Sequence, residues 1–112
     1  MNIVQFNFQV LYNSILTNIE NYLDTLDYEN DIDYEIHQQI MTISFSKKNK
    51  IIISKQEYLK QIWIATKKNG YHFTYQSNNL ICNRSKRHFW EILEEAFYLQ
   101  SNIRLNFKDI SK

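Results

Sequence analysis

The chain has no proline and a single glycine, Gly70, and the shortage of glycine closes off a class of function. Phosphate-cradling loops of the G-x-x-x-x-G-K-[ST] and G-x-G-x-x-G kinds need several glycines where backbone approaches the ligand, so both are excluded. The nucleophile elbow G-x-S-x-G is missing as well. One cysteine, Cys82, rules out an internal disulfide. Its neighbours Leu80 and Ile81 suit a small core residue better than a nucleophile. No apolar run reaches the about 18 residues of a membrane-spanning helix, so no membrane association is expected. The start, MNIVQFNFQV, has neither a basic region nor a small-residue cleavage site, and a cytoplasmic location is the expectation. His37, His72 and His88 show no H-x-x-x-H spacing and read as surface or turn residues rather than zinc ligands.

The last shortage is of positive charge, and it is local. Residues 1–46 hold no Lys or Arg, while seven acids fall between Glu20 and Glu35. Residues 47–112 hold all thirteen bases against five acids. A net charge of +1 therefore joins a segment near −7 to one near +8. Clustered carboxylates attract metal cations and basic protein surfaces.

What is present is enough for one folded domain over residues 1–112. A hydrophobic fraction of 44% and an aromatic fraction of 15% supply a core and argue against disorder. Phe8, Leu11, Tyr12, Ile15, Ile19, Leu23 and Leu26 step by three or four, which predicts an amphipathic helix ending near Leu26. Glu20, Asp24 and Asp27 keep the same step and form their own stripe. The pattern then alternates. In Asp31-Ile32-Asp33-Tyr34-Glu35-Ile36 acids and apolar residues take turns, as in a half-buried strand. Further strands are predicted over residues 40–45, 50–53, 59–66 and 71–75, with a short one through Cys82. Asn69-Gly70 reads as a type I′ hairpin turn and Asn78-Asn79 as a second turn. Ser85 is placed to cap a last helix that buries Phe89, Ile92, Leu93 and Ala96. Helix, about six short antiparallel strands, helix: the expected fold is α+β, a two-layer sandwich with both helices on one sheet face.

Asp31-x-Asp33-x-Glu35 resembles the opening of an EF-hand loop, but Ile36 and Thr42 stand where that loop needs glycine and glutamate. What remains is a surface of oxygen ligands, suited to hard cations held weakly with water completing the shell. Solvated carboxylates about 7 Å apart repel by only about 0.6 kcal/mol per pair, so a solvated acidic face without function is tolerable too. Trp63 shares the outward parity of Gln61, while Ile62 and Ile64 face the core. A Trp on an exposed sheet face is a common feature of interfaces.

These residues carry a resemblance. The acidic strand Asp31-Ile32-Asp33-Tyr34-Glu35-Ile36, Lys50-Ile51-Ile52-Ile53, Gln56-Glu57, Gln61-Ile62-Trp63-Ile64-Ala65-Thr66-Lys67, Gly70-Tyr71-His72-Phe73 and Phe89-Trp90 together resemble the bacterial frataxins, the CyaY family, in order over about residues 15–100. The resemblance implies a frataxin-like sandwich and a non-enzymatic iron-binding protein of iron–sulfur cluster assembly. It also implies that the chain meets the cysteine desulfurase, tunes its rate, contacts the iron–sulfur scaffold protein and serves as an iron donor. By the same resemblance, weakly held Fe(II) or Fe(III) would sit on Glu20, Asp24, Asp27, Glu29, Asp31, Asp33 and Glu35. Protein contacts would be made by Trp63, Gln61, Asp24, Asp27, Asp31 and Asp33. The chain is expected to be a monomer, with oligomers driven by iron left open. Asn21 and Thr25 stand where bacterial members often add acids, so the ridge is thinner here. Ser54 replaces a usual Asn before the Trp strand, Tyr58 a usual Pro, and Lys86, Arg87 and His88 open the last helix where small or acidic residues are usual. A ferroxidase or iron-storage activity at the ridge is the alternative. Nucleic acid is not an expected partner, because the bases lie in separate loops without a recognised motif.

Overall fold

In the computed structural model, residues 7–26 and 32–106 are described. Helix α1 (Phe8–Asp24) starts where the Asn7 side chain accepts a hydrogen bond from the Val10 amide at 3.1 Å, an N-cap that satisfies one orphan donor. The three-or-four step then buries Phe8, Tyr12, Ile15, Leu16, Ile19 and Leu23 along one face. Six strands follow: β1 (Asp33–His37), β2 (Ile40–Ser46), β3 (Asn49–Gln56), β4 (Gln61–Ala65), β5 (Gly70–Gln76) and β6 (Asn79–Cys82). Each pairs antiparallel with the next, giving one sheet in the order β1 to β6. Helix α2 (Phe89–Ser101) is the last element among the described residues and ends on Asn102 in the left-handed region, φ 62°.

The alternation of the strands decides which face is covered. Met41, Ile43, Ile51, Ile53, Ile62, Ile64, Phe73, Leu80 and Cys82 point inward and join the helix residues in one core. Edge-to-face rings tie α2 to the sheet, Phe45 on Phe97 at 4.8 Å and Phe73 on Phe89 at 5.2 Å. Tyr12 ties down α1: its hydroxyl donates to the Gln39 carbonyl at 2.5 Å and lies 3.3 Å from that of Ile53. Burial pushes its pKa up to about 12, so it remains a neutral donor at physiological pH. The result is the open α+β sandwich expected from the pattern, with no helix among the described residues on the second sheet face.

Four local expectations change. Gly70 does not adopt positive φ; it opens β5 and pairs with Ala65. The turn before it spans residues 66–69 and is built on Thr66, whose Oγ1 accepts from the amides of Lys68 at 3.2 Å and Asn69 at 3.0 Å. The left-handed pairs that tight hairpins require fall instead on Gln38-Gln39 (φ 51° and 66°) and Ser77-Asn78 (φ 51° and 65°), the second one residue earlier than predicted. Ser85 does not cap α2. The N-cap is His88, without a side-chain bond, because Arg87 and His88 first fold back along β6: the Cys82 amide donates to the Arg87 carbonyl at 2.8 Å. Ile36 shares the inward parity yet is 41% exposed, as befits an edge strand at the rim of the helix layer.

Candidate acidic edge and outer sheet face

The acidic stripe of α1 and the acidic strand meet through one contact. Tyr34, half-buried on the inner side of β1, donates its hydroxyl to Asp24 Oδ1 at 2.7 Å. That hydrogen bond, burial, and the negative charges of Asp24 and Glu20 push the Tyr34 pKa up. Glu20 and Asp24 therefore act on the same hydroxyl, which brings the helix acids to the edge of the sheet. Asp33 and Glu35 stand exposed on the opposite side of that strand, where they pair across to Ser44 and Thr42. No lysine neutralises them from β2. Asp27, Glu29 and Asp31 lie outside the described residues.

The acids of the later chain are treated differently. Glu57 is bridged by Lys55 at 2.9 Å and Lys60 at 3.4 Å. Arg87 holds Glu91 at 2.8 Å and Glu95 at 2.6 Å, and keeps the Glu95 carboxyl below the usual carboxylate range. Among the described residues, none of Glu20, Asp24, Asp33 and Glu35 forms an ion pair. Also among the described residues, no three potential metal ligands are gathered tightly enough to cage an ion. A cation there would be held from one side, with water filling the rest of its shell. Charge on β1 has a structural use as well, since an edge strand with exposed acids resists pairing with another sheet.

The second candidate, Trp63, stands on the outer face as its parity requires. It does not stand free. Its indole lies flat on the His72 ring, centroids 4.0 Å apart and planes 13° apart, with His72 directly across the β4–β5 ladder. Its Nε1 donates to Gln61 Oε1 at 2.9 Å. Gln61 thus fixes the indole from its own strand, and the Trp is half-buried beside the exposed His72. Two further apolar groups share that sheet face, Ile40 at 42% exposure and Ile52 at 37%. His72 needed the cross-strand register, which the sequence does not print.

A family model described as a frataxin-like domain matches residues 1–103. The chain belongs to the frataxin-like family. Among curated relatives, it is 54% identical over 101 residues to the iron–sulfur cluster assembly protein CyaY of Buchnera aphidicola subsp. Acyrthosiphon pisum (strain Tuc7), covering 90% of this chain and 87% of that one. The CyaY protein of Buchnera aphidicola subsp. Schizaphis graminum (strain Sg) is 48% identical over 101 residues, covering 90% and 84%. Among solved structures, frataxin from Psychromonas ingrahamii superposes with a TM-score of 0.76 at 29% identity, over 92% of this chain and 99% of the other. Trimeric frataxin of the yeast Saccharomyces cerevisiae, complexed with ferrous, shares the fold at a TM-score of 0.69 and 19% identity, over 92% of each chain. Within this frataxin-like frame the acidic edge runs along α1 and β1, and Trp63 stands on the uncovered sheet face. No helix among the described residues is long and apolar enough to cross a membrane.

Proposed function

We propose that this bacterial frataxin homologue serves iron–sulfur cluster assembly as a non-enzymatic iron-binding protein that docks on the cysteine desulfurase and tunes its rate. The single observation that supports it most is the contrast in charge treatment. The later acids Glu57, Glu91 and Glu95 are bridged by nearby bases, while Glu20, Asp24, Asp33 and Glu35 have no ion pair among the described residues. Relatives named for iron–sulfur cluster assembly, at 48% and 54% identity, give that edge its context.

Two properties follow from oxygen ligands on a one-sided surface. Iron is taken up as cargo, weakly, and leaves easily because water holds part of its shell. The same carboxylates attract a basic protein surface over roughly a Debye length, about 8 Å at cellular salt, and so speed encounter with the desulfurase. In this reading Asp27, Glu29 and Asp31 extend both the metal surface and the docking surface. Trp63, backed by His72 and anchored by Gln61, offers a rigid apolar plate to the scaffold protein, a contact that gains from desolvation rather than charge.

Anaerobic titration of isotope-labelled protein with Fe(II), followed by NMR, tests the metal half. Broadening is expected first at Glu20, Asp24, Tyr34, Asp33 and Glu35, with a dissociation constant of about 10⁻⁴ M or weaker. Mn(II) and Ca(II) should displace the iron, because nothing at the edge is soft. Broadening centred on His72 or Cys82 would place the metal elsewhere.

A further inference from the structure

Seven of the thirteen bases, Lys47, Lys48, Lys50, Lys67, Lys68, Arg84 and Lys86, are scattered in sequence and gathered in space. In a meander every second connection falls at the same end of the sheet. That end receives the β2–β3 loop with Lys47 and Lys48, the β4–β5 loop with Lys67 and Lys68, and the turn after β6 with Arg84 and Lys86. These loops are fastened to one another. Gln100, near the end of α2, accepts from Asn49 Nδ2 at 2.8 Å on its carbonyl and donates from Nε2 to Asn49 Oδ1 at 2.7 Å and to the Lys50 carbonyl at 3.0 Å. Its Oε1 accepts from the Lys67 amide at 3.0 Å. Arg84 reaches the Gly70 carbonyl at 3.4 Å, which ties the third loop to the second. Arg87 is occupied by Glu91 and Glu95, but Lys47, Lys48, Lys50, Lys67, Lys68 and Lys86 are exposed with no ion pair among the described residues.

The acidic edge reaches the same end. Asp24 is the last residue of α1 and Asp33 the first of β1. Asp33 pairs with Ser44, and Ser44 pairs on its other side with Lys50. Acid and base are thus two strand spacings apart, roughly 10 Å, on one bipolar surface. A uniform polyanion such as a nucleic acid would reach the lysines only by facing the carboxylates too. A surface carrying the same pattern rotated by half a turn meets every charge with its opposite, and a second copy of this chain carries that pattern.

We propose that two copies of the chain associate end to end about a two-fold axis passing between Asp33 and Lys50. Asp24 and Asp33 of each copy then face the lysine loops of the other. The contact needs no metal, so it stands apart from the iron-binding reading. It covers the acidic edge and therefore competes with a basic partner for it, which makes the free edge depend on protein concentration and salt.

Sedimentation analysis with a chelator present tests this, at about 20 mM and about 500 mM salt, where screening is weak and strong respectively. At low salt the mass should rise from 13.7 kDa toward twice that value with concentration, and at high salt it should stay at the monomer. Lys67→Glu/Lys68→Glu and Asp24→Lys/Asp33→Lys should each remain monomeric at low salt. An equimolar mixture of the two should regain the dimer, since the acids added to one end then face the bases added to the other. Circular dichroism checks the fold of both variants, and milder Lys67→Gln/Lys68→Gln should weaken association at least tenfold without altering the spectrum. A parent that is monomeric at low salt, or a dimer that persists at high salt or in both reversed variants, overturns the proposal. So does a monomeric parent that retards a DNA duplex and loses this in Lys67→Glu/Lys68→Glu, which would assign the loops to nucleic acid.

Discussion

Replacing Asp24 and Asp33 together by lysine should slow association with the cysteine desulfurase by about ten- to a hundredfold, with a much smaller change in the dissociation rate. Charges at the rim of an interface act mainly on encounter, where steering separates rates of about 10⁵–10⁶ M⁻¹s⁻¹ from rates of about 10⁸ M⁻¹s⁻¹ and above. The fold should survive. Among the described residues Asp24 carries only an exposed hydrogen bond from Tyr34, and Asp33 is exposed opposite Ser44. Losing that bond costs about 1 kcal/mol, within what a small domain tolerates. Trp63→Ala separates the two surfaces. It removes the plate stacked on His72 and should leave the desulfurase on-rate unchanged while weakening the scaffold contact, with little dependence on salt. Stopped-flow binding at two salt concentrations measures both arms. Equal on-rates for parent and double variant would separate the acidic edge from desulfurase docking.

The largest loss of stability should come from Phe73→Ala. Phe73 is fully buried near the middle of β5, opposite Ile62 on one side and Cys82 on the other. Its ring meets the edge of Phe89 at 5.2 Å, so it joins the sheet to the first turn of α2. Truncation leaves a cavity that neighbouring strands cannot close, at a cost of about 3–5 kcal/mol. Against a typical total of about 5–15 kcal/mol, this removes a large share of the stability. At about 4–8 °C per kcal/mol the melting temperature should fall by at least about 12 °C. Tyr58→Ala, at a residue 91% exposed, should change it by less than about 0.5 kcal/mol. Thermal melts of both variants check the contrast, and a small shift for Phe73→Ala would mean that the core repacks around the gap.

The parts of the fold that repeat were legible in the sequence. A step of three or four from Phe8 to Leu23 marked α1, and alternation in β2 and β4 sorted Met41, Ile43, Ile62 and Ile64 inward. Features set by a partner strand were not. Hairpin geometry, rather than residue preference, places positive φ on Gln38, Gln39, Ser77 and Asn78, so the Asn69-Gly70 signal marked a hairpin but not its turn. Ser85 failed as a cap because the chain runs on beside β6 before turning into α2. Parity set Asp33, Glu35 and Trp63 on the outer face, as the structure shows. It could not show that Tyr34 links Asp24 to β1, nor that His72 stacks on Trp63 from the next strand, since both depend on what folds alongside. The basic loops were the least legible. Lys47, Lys67 and Arg84 are far apart in sequence, and only the meander brings them to one end.

The central claim is that the carboxylate edge of α1 and β1 is the docking surface for the desulfurase. Adding unlabelled desulfurase to the isotope-labelled chain at physiological salt, and mapping the perturbed NMR signals, tests it most directly. Glu20, Asp24, Asp33, Tyr34 and Glu35 should shift or broaden first, while the Tyr58 loop at the opposite end of the sheet stays unmoved. Perturbation centred on Lys47, Lys67 and Arg84, with Asp24 and Asp33 unaffected, would contradict it.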